Sequence, residues 1–215
     1  MPLEQYKFGT VGFPIPNVEL QIADDGEILA RGPNIMHGYW NDDVATKKII
    51  NTEGWLHTGD IGEFDDDGFL KITDRKKNIF VTSGGKNIAP QPIENRFLMN
   101  KFIEQFVLIG EGRMFLSALI IPDFEILREL ATALQIPYRT TTDLVQQIEI
   151  LNFYWNEIQH IQKNVPNFER VRKFALLDHP LSIENGEITP TQKIRRKIVE
   201  EKYRNIIEQM YETKR

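Results

Sequence analysis

Two short segments in the first half of the 215-residue chain carry side chains that could bind a nucleotide. In the segment Thr58 to Asp60, a carboxylate on a tight turn could accept hydrogen bonds from both hydroxyls of a ribose. A turn-forming aspartate is the commoner explanation of so short a motif. In the segment Arg75 to Lys77, the arginine could hold a ribose or phosphate oxygen with its planar fork. Taken alone, this basic cluster is more typical of a solvated strand end.

Two later segments could approach a phosphate. The loop Ser83 to Lys86 contains two glycines, which let a ligand come close to the backbone. It lacks the Gly-Lys-Ser/Thr spacing of a phosphate-cradling loop, so a plain turn is the simpler interpretation. The segment Glu187 to Lys193 places a lysine on a loop before the last helix. Lys193 could offset the charge that develops during transfer at phosphorus, although an isolated lysine there is usually solvated.

The composition excludes several classes of protein. The chain has no cysteine, which excludes disulfides, thiolate metal sites and a cysteine nucleophile. Its four histidines, at positions 37, 57, 160 and 179, lack ligand spacing, so no metal site is predicted. The net charge of −5 argues against a general nucleic-acid binder. The start lacks a signal-peptide core and the longest apolar run, Phe115 to Ile121, is too short to span a bilayer, so we expect a cytoplasmic protein.

The first 74 residues have the pattern of a small β-rich piece. Two Asp-Gly turns between alternating apolar residues predict two β-hairpins. The predicted strands are Val18 to Ile22, Glu27 to Arg31, Ile61 to Phe64 and Phe69 to Thr73. Asp42 and its neighbours are predicted to cap a short helix through Ile50. The hairpins predict a β-barrel-like subdomain, and we expect it to lean on something larger because it offers little material for a core.

After residue 77, short apolar strands alternate with helices. The predicted strands are Ile79 to Thr82, Phe106 to Ile109, Phe115 to Ile121 and Lys173 to Leu177. The predicted helices are Pro90 to Leu98, one from Asp123 through Leu134, one from Thr140, Asn152 to Lys163, and a last one from about Ile194. We therefore predict an α+β chain: a β subdomain at 1–74, a hinge at 75–77, and a mixed domain at 78–215 in which helices flank a short sheet.

The candidate segments are weak indicators singly, but their order is specific. The series is Gly38 to Trp40, Gly54 to Asp60, Asp74 to Lys77, Gly85 to Glu94, and Thr189 to Lys193. It resembles the adenylate-forming acyl-CoA synthetases, most closely the long-chain fatty acid type. The resemblance covers essentially the whole chain but only the C-terminal part of the family's length. We therefore expect a C-terminal fragment of such a ligase that is inactive by itself.

The resemblance implies a two-step reaction. Fatty acid and ATP would give acyl-AMP and pyrophosphate, and CoA would then displace AMP to form the thioester. Asp60 would bind the ribose hydroxyls of ATP or of the acyl-adenylate, and Arg75 would make a second contact with the nucleotide. Lys193 would bridge the acyl carboxylate and the α-phosphate during the first step.

The resemblance also implies a movement between the two steps. Lys77 matches the hinge at which the family's small domain pivots between an adenylating and a thioester-forming arrangement. Gly84 and Gly85 match the glycine loop near the CoA tunnel, which is used only in the second arrangement. Lys193 is needed in the first step and stands in the way in the second. A rotating domain could present either loop to the same adenylate.

The sequence departs from the family pattern in places. The phosphate loop, a Tyr-Gly-x-Thr-Glu segment and the carboxylate for Mg²⁺ belong upstream and are absent. Glu187 stands where the family commonly has proline, and Gln192 where it commonly has glycine. The resemblance implies ATP, CoA, Mg²⁺ and a fatty acid as ligands, and the missing N-terminal part of the same protein as a partner. It is also compatible with a peripheral membrane contact of the parent enzyme.

Two alternatives stay open at this point. The first is a non-catalytic module that binds CoA or the arm of a carrier protein. The second is an adenylating ligase for another carboxylic acid, because the pocket that selects the acid lies outside this chain.

Overall fold

The computed structural model describes residues 6–212, which divide into two compact units after Ile79. The first unit contains a four-stranded antiparallel sheet in the order β1-β2-β3-β4. Its strands are β1 (Glu19–Ile22), β2 (Glu27–Arg31), β3 (Leu56–Phe64) and β4 (Leu70–Arg75). Both predicted hairpins are present as β1-β2 and β3-β4. The helix α1 (Asp43–Ile49) begins after Asp42, whose side chain accepts a hydrogen bond from Ala45 N at 2.8 Å.

Two irregularities shape the centre of this sheet. The β2-β3 register shifts between Glu27 and Leu29, and the β3-β4 register shifts between Ile61 and Gly62. A Cβ at Gly62 would lie 2.3 Å from the Lys71 carbonyl oxygen, so only glycine fits this close approach. Beyond this bulge, Asp60 in β3 stands opposite Arg75 in β4.

The first unit buries little apolar material. Its buried apolar side chains among the described residues are Ile28, Leu29, Ala30 and Leu70. Its large exposed apolar side chains include Phe8, Val11, Ile15, Trp40 and Val44. The described part of this unit thus has a small apolar core, and the expectation that it leans on something larger stays a prediction.

The second unit contains two sheets. A two-stranded antiparallel sheet pairs β5 (Phe80–Val81) with β6 (Asn87–Ile88). A three-stranded sheet consists of β7 (Ile103–Ile109), β8 (Leu116–Pro122) and β9 (Val171–Leu176). The central strand β8 pairs antiparallel with β7 and parallel with β9, and all of its residues are buried. A continuous apolar run is typical of a strand that is covered on both faces.

Between Phe80 and residue 212, the described part of the second unit contains six α-helices. They are α2 (Pro90–Leu98), α3 (Phe124–Ala133), α4 (Thr141–Val145), α5 (Ile148–Ile161), α6 (Arg196–Lys202) and α7 (Arg204–Tyr211). Along β8, Ala118 and Ile120 face a core formed with α2, α3, α4 and α5, whereas Leu119 and Ile121 face a second core formed with α6 and α7. The predicted α+β class, with helices flanking a short sheet, is confirmed.

Several element bounds differ from the prediction. The helix predicted from Asn152 begins at Ile148, because the buried Ile150 extends its apolar face. The single last helix is divided at Tyr203, whose backbone angles of φ −100° and ψ 20° are not helical. The strand β6 and a 3₁₀ turn at Lys76–Asn78 were not predicted. Among the described residues, no helix combines the length and the apolar character needed to cross a membrane.

Candidate functional site

The predicted turn before Asp60 is wrong: Thr58 to Asp60 lie within strand β3, as a bulge opposite β2. This bulge is held by a buried carboxylate. The Glu27 side chain is only 4% exposed, and its Oε1 accepts a hydrogen bond from Gly59 N at 3.0 Å. Its Oε2 accepts from Lys76 Nζ at 2.8 Å and lies 2.8 Å from His57 Nδ1. Burial acts to raise the pKa of Glu27, but these hydrogen bonds outweigh it and hold the pKa below its usual value. Glu27 therefore anchors the bulge as an ionised group.

Thr58 completes the hydrogen bonds of this bulge. Its hydroxyl donates to the Ile28 carbonyl oxygen at 2.7 Å and accepts from Asp60 N at 3.1 Å. Gly59 has φ +72°, a left-handed conformation in which glycine is free of the usual steric cost. The backbone of Asp60 is thus held in a fixed position within β3.

Asp60 and Arg75 form an ion pair across β3 and β4. Arg75 Nε lies 2.6 Å from Asp60 Oδ1, and the two side chains are 57% and 21% exposed. The structure therefore brings together two residues that were singled out separately from the sequence. A carboxylate and a planar guanidinium side by side can offer an acceptor and a donor to one polar ligand.

The remaining lysines of the basic cluster behave differently. Lys76 turns back to the sheet, where its Nζ lies 2.6 Å from Asp25 Oδ2 in addition to its contact with Glu27. Lys77 is exposed in the 3₁₀ turn Lys76–Asn78, close to the division between the two units. Asp74 accepts hydrogen bonds from Arg75 N at 2.7 Å and from Asn78 Nδ2 at 3.1 Å. The cluster is therefore not a uniform run of solvated charge, and a pivot at Lys77 stays a prediction.

In the second unit, Gly84 and Gly85 lie in the exposed turn that joins β5 and β6. Gly85 N donates to the Thr82 carbonyl oxygen at 2.9 Å, and Thr82 N donates to the Lys86 carbonyl oxygen at 3.0 Å. Gly85 has φ +74°, and no atom lies within 4 Å of the place where its Cβ would be. The turn therefore presents bare backbone to its surroundings, as contact with an extended ligand would need.

Lys193 lies on a short hairpin. Ile188 and Ile194 form an isolated antiparallel bridge, and Thr189 N donates to the Lys193 carbonyl oxygen at 2.8 Å. The Thr189 hydroxyl accepts from Lys193 N at 3.0 Å. The Lys193 side chain is exposed, and no partner for its ammonium group is found among residues 6–212. The hairpin thus fixes the backbone of Lys193 and leaves the charge available.

The hairpin turn explains one departure from the family pattern. Gln192 N donates to the Thr189 carbonyl oxygen at 2.8 Å, and Gln192 has φ +59°. A three-residue hairpin loop ordinarily ends in such a left-handed residue, for which glycine is preferred. Gln192 therefore occupies a glycine-type position at some cost in backbone energy.

Two buried glutamates in the second unit were not recognised as site residues from the sequence. Glu187, at the base of the Lys193 hairpin, accepts hydrogen bonds from Ser182 N, Lys202 Nζ and Tyr203 Oη. Glu94 Oε1, in α2, accepts from Arg196 Nη2 at 2.6 Å and from Leu108 N at 2.8 Å.

The Glu94 contacts attach the start of α6 to α2 and β7. Arg196 follows Lys193 closely in sequence, and α2 follows the glycine turn. Arg196 also donates to the Leu108 carbonyl oxygen through Nη1. These contacts therefore join the elements next to the two candidate loops within the second unit. The only signal in the sequence is a glutamate within an otherwise apolar helix face, and its arginine partner lies far away along the chain.

No group of three or more His, Asp or Glu side chains within residues 6–212 has an arrangement that could hold a metal ion.

The fold and these segments define the class of the protein. The chain belongs to the family described as AMP-binding enzyme C-terminal domain, whose sequence model matches residues 77–215. The resemblance to adenylate-forming enzymes is therefore confirmed.

Curated relatives point to particular ligases. The chain is 40% identical over 212 residues to the long-chain-fatty-acid–CoA ligase FadD15 of Mycobacterium tuberculosis, covering 95% of this chain and 34% of that protein. It is 33% identical over 217 residues to the human long-chain-fatty-acid–CoA ligase 6, covering 94% of this chain and 31% of that protein. The chain thus spans about a third of the length of the curated relatives it matches.

Solved structures share the fold. The adenylation domain of a carboxylate reductase from Mycobacterium chelonae matches with a TM-score of 0.70 at 20% identity, covering 93% of this chain and 31% of that one. The o-succinylbenzoate CoA synthetase of Bacillus subtilis, in complex with its acyl-adenylate intermediate, matches with a TM-score of 0.61 at 22% identity over 89% of this chain and 35% of that one. At these identities the likeness establishes the architecture and not the substrate.

Proposed function

We propose that this chain serves an AMP-forming fatty acid–CoA ligase, as the last β subdomain of its large domain and its mobile C-terminal domain. In the first step, a carboxylate oxygen of the fatty acid attacks the α-phosphorus of ATP, and pyrophosphate leaves. In the second step, the CoA thiolate attacks the acyl carbon of the mixed anhydride, and AMP leaves. The observation that carries this proposal is the 40% identity to a long-chain-fatty-acid–CoA ligase over 95% of the chain, which includes both units.

We assign nucleotide binding to the Asp60–Arg75 pair. The carboxylate of Asp60 accepts hydrogen bonds from the ribose hydroxyls, and the exposed guanidinium of Arg75 makes a second contact with the nucleotide. The β3 bulge that carries Asp60 is held by Glu27 and Thr58 before any ligand arrives. Such preorganisation reduces the entropy that must be lost on binding.

We assign the adenylation step to Lys193. Negative charge accumulates around the α-phosphorus as the carboxylate attacks, and a nearby ammonium group stabilises it. An exposed lysine on a braced hairpin suits this task because its charge is not neutralised within the described chain. Lys193 thereby bridges the acyl carboxylate and the α-phosphate.

The thioester step uses the other loop of the same unit. The bare backbone at Gly84 and Gly85 can lie against the CoA arm without steric conflict. A pivot at Lys77 exchanges the Lys193 loop for this glycine turn at the adenylate. The position of Lys77 close to the division after Ile79 supports this role.

A larger adenylating domain is part of the proposal. Trp40 is 91% exposed and Phe8 is also 91% exposed on a unit with few buried apolar residues. Exposed aromatic surface of this kind is typical of an interface with more protein. That domain supplies the acyl pocket and the ligands for the Mg²⁺ that accompanies ATP. A cytoplasmic location, and a membrane contact through which the complete protein obtains its fatty acid, belong to the same proposal.

The test uses the natural protein expressed from its complete gene. We expect pyrophosphate exchange into ATP that depends on a long-chain fatty acid, and release of AMP with acyl-CoA when CoA is added. Pyrophosphate exchange that depends only on an aryl or short-chain acid would show that the substrate is that acid and not a fatty acid. CoA binding without exchange for any acid would favour a non-catalytic module.

A further inference from the structure

We propose that Glu187 is a positioning residue for Lys193 in the adenylation step, an inference that rests on the function proposed above. Glu187 lies at the base of the Lys193 hairpin, and its side chain is completely buried. A charged group in such a place is costly unless its hydrogen bonds are satisfied, so the arrangement is informative.

Three donors converge on the Glu187 carboxylate. Oε2 accepts from Ser182 N at 2.9 Å, and Oε1 accepts from Lys202 Nζ at 2.8 Å and from Tyr203 Oη at 2.7 Å. Burial acts to raise the pKa of Glu187, but these hydrogen bonds dominate and lower it. The ionised carboxylate therefore ties the hairpin to the loop before it and to the end of α6.

The backbone of Glu187 transmits this anchoring towards Lys193. The Glu187 carbonyl oxygen accepts from Arg195 N at 2.8 Å, and the Ile188–Ile194 bridge follows. The next contact is the hydrogen bond from Thr189 N to the Lys193 carbonyl oxygen. The two arms are thus joined from the buried anchor up to the lysine. A displacement of Glu187 at the base of the hairpin therefore moves Lys193. Small errors in the position of a catalytic group lower the reaction rate strongly.

An outer polar pair supports the same anchor. His179 Nε2 lies 3.0 Å from Tyr203 Oη, and His179 Nδ1 lies 2.6 Å from Asp178 Oδ1. The hydroxyl proton of Tyr203 is directed to the carboxylate of Glu187, and the His179 ring lies against the other side of the same oxygen. Tyr203 is therefore oriented from both sides, and its hydroxyl stays directed at the anchor.

The glutamate also explains a departure from the family pattern. Glu187 N donates to the Ser182 carbonyl oxygen at 3.0 Å, a hydrogen bond that the commoner proline could not make. A proline restricts the loop through its ring. This chain restricts the loop through a buried carboxylate with three donors.

The test compares Glu187→Gln with Glu184→Gln in the protein expressed from its complete gene. Glu184 is an exposed carboxylate on the same loop and serves as the matched control. For Glu187→Gln we expect the kcat of fatty-acid-dependent pyrophosphate exchange to fall roughly 10- to 100-fold, with the KM for ATP unchanged. Thioester formation from supplied acyl-AMP should be retained, and Glu184→Gln should match the wild type in both reactions.

A double-mutant cycle separates positioning from general stability. If Glu187 acts through Lys193, Glu187→Gln causes no further loss of exchange in a Lys193→Ala background. Equal losses in both half-reactions, or full additivity with Lys193→Ala, would overturn the proposal. Should Glu187→Gln fail to fold, Tyr203→Phe decides: a loss confined to exchange supports the proposal, and no loss contradicts it.

The failure of this proposal is distinct from failure of the proposed function. Absence of exchange in the wild type would refute the function itself, and full exchange by Lys193→Ala would refute the role assigned to Lys193. Exchange that depends on Lys193 but is unaffected by Glu187→Gln would refute only the positioning role.

Discussion

Each of the two units uses a buried glutamate to hold one candidate functional residue in place. In the first, Glu27 is buried and fixes the β3 bulge that carries Asp60; in the second, Glu187 is buried and fixes the hairpin that carries Lys193. Each glutamate accepts hydrogen bonds from a backbone N–H and a lysine ammonium, and each contacts one ring side chain, His57 or Tyr203. The supports are alike, but the groups they hold are not.

The difference lies in what is left exposed. Asp60 is already paired with Arg75 at 2.6 Å, whereas Lys193 has no partner among residues 6–212. A preformed pair suits a ligand that must stay bound through two steps. An unpaired cation suits a charge that appears only in one transition state, because it loses no existing contact when it acts.

The units also differ in what stabilises them. Both large apolar cores consist of residues from Phe80 onwards, while the first unit has four buried apolar side chains among its described residues. We therefore expect the hydrogen bonds of Glu27 to contribute a larger share of the free energy of unfolding of the first unit than those of Glu187 contribute to the second unit. The following predictions test these contrasts.

The largest expected effect is on Lys193. In the complete enzyme, Lys193→Ala should reduce fatty-acid-dependent pyrophosphate exchange by about 10²- to 10³-fold, the usual cost of removing a group that stabilises transition-state charge. Thioester formation from supplied acyl-AMP should be retained. Lys197→Ala, which removes an exposed lysine from the same region, is the control and should leave both reactions intact. Loss of both half-reactions by Lys193→Ala would contradict an unpaired cation reserved for one step.

The next effect concerns the preformed pair. Asp60→Asn should lower kcat/KM for ATP by about 10- to 100-fold, since a hydrogen bond to a charged group contributes about 1.5–3 kcal/mol. Unlike Lys193→Ala, it should impair both half-reactions, because the adenylate is bound in each. Asp66→Asn, in the exposed β3-β4 turn, is the matched control. An effect of Asp60→Asn on adenylation alone would contradict the idea that the Asp60–Arg75 pair binds the nucleotide in both half-reactions while Lys193 acts in only one.

The two buried glutamates predict loss of stability in acid. Both have a pKa below the ordinary value of 4.5 when the chain is folded. The unfolded chain then binds protons more readily, so their stabilisation is complete above pH 4.5 and is lost as the pH falls through the folded pKa. Denaturant unfolding between neutral pH and acid measures this, and Glu27→Gln should flatten the pH dependence of the first unit.

Fluorescence can assign that loss to a unit. Trp40 and Trp55 lie in the first unit and Trp155 in the second. In a Trp155→Phe background, Glu27→Gln should destabilise the first unit by about 1–3 kcal/mol at neutral pH, as expected for a buried polar contact left incomplete. Glu63→Gln, which alters an exposed carboxylate of β3, is the control. Equal stability of the two variants would show that the sheet does not depend on its polar anchor.

Local patterns predicted the elements of both units well. The Asp-Gly turns gave the two hairpins, and the apolar run at Phe115 to Ile121 gave the central strand β8. Asp60 and Arg75 were each singled out from residue type, but their pairing depends on a register that includes a bulge at Gly62. Side-chain type is a local property, whereas register across a bulge is not.

The anchors could not be predicted in the same way. Glu27 follows an Asp-Gly turn and looks like an ordinary hairpin residue, and its partners Gly59 and Lys76 are distant in sequence. Glu187 was noted only as a departure from a family pattern. A buried carboxylate becomes visible once the donors around it are placed, because its burial is tolerated only through them.

The smallest expected effects are on the free energy of unfolding. They come from one substitution in each unit, and the two effects have opposite signs. Gln192 has φ +59°, and Gln192→Gly should stabilise the protein by about 0.5–1 kcal/mol. The left-handed conformation costs residues other than glycine about 1–2 kcal/mol, and the greater chain entropy of glycine in the unfolded state offsets part of that gain. Gly59, at φ +72°, should lose about 1 kcal/mol as Gly59→Ala, and the loss is purely conformational because its Cβ would have no neighbour within 4 Å.

The control for the first change is Gln192→Ala, which removes the same side chain but keeps a Cβ, so unfolding should show no gain. Adenylation should not improve in Gln192→Gly, because the backbone of Lys193 is held by Thr189 and by the Glu187 anchor rather than by the turn residue. If glycine at position 192 instead slowed adenylation with thioester formation intact, the turn would share the positioning of Lys193. The second unit would then hold its functional residue at two points, as the first unit holds Asp60 through Glu27 and Thr58.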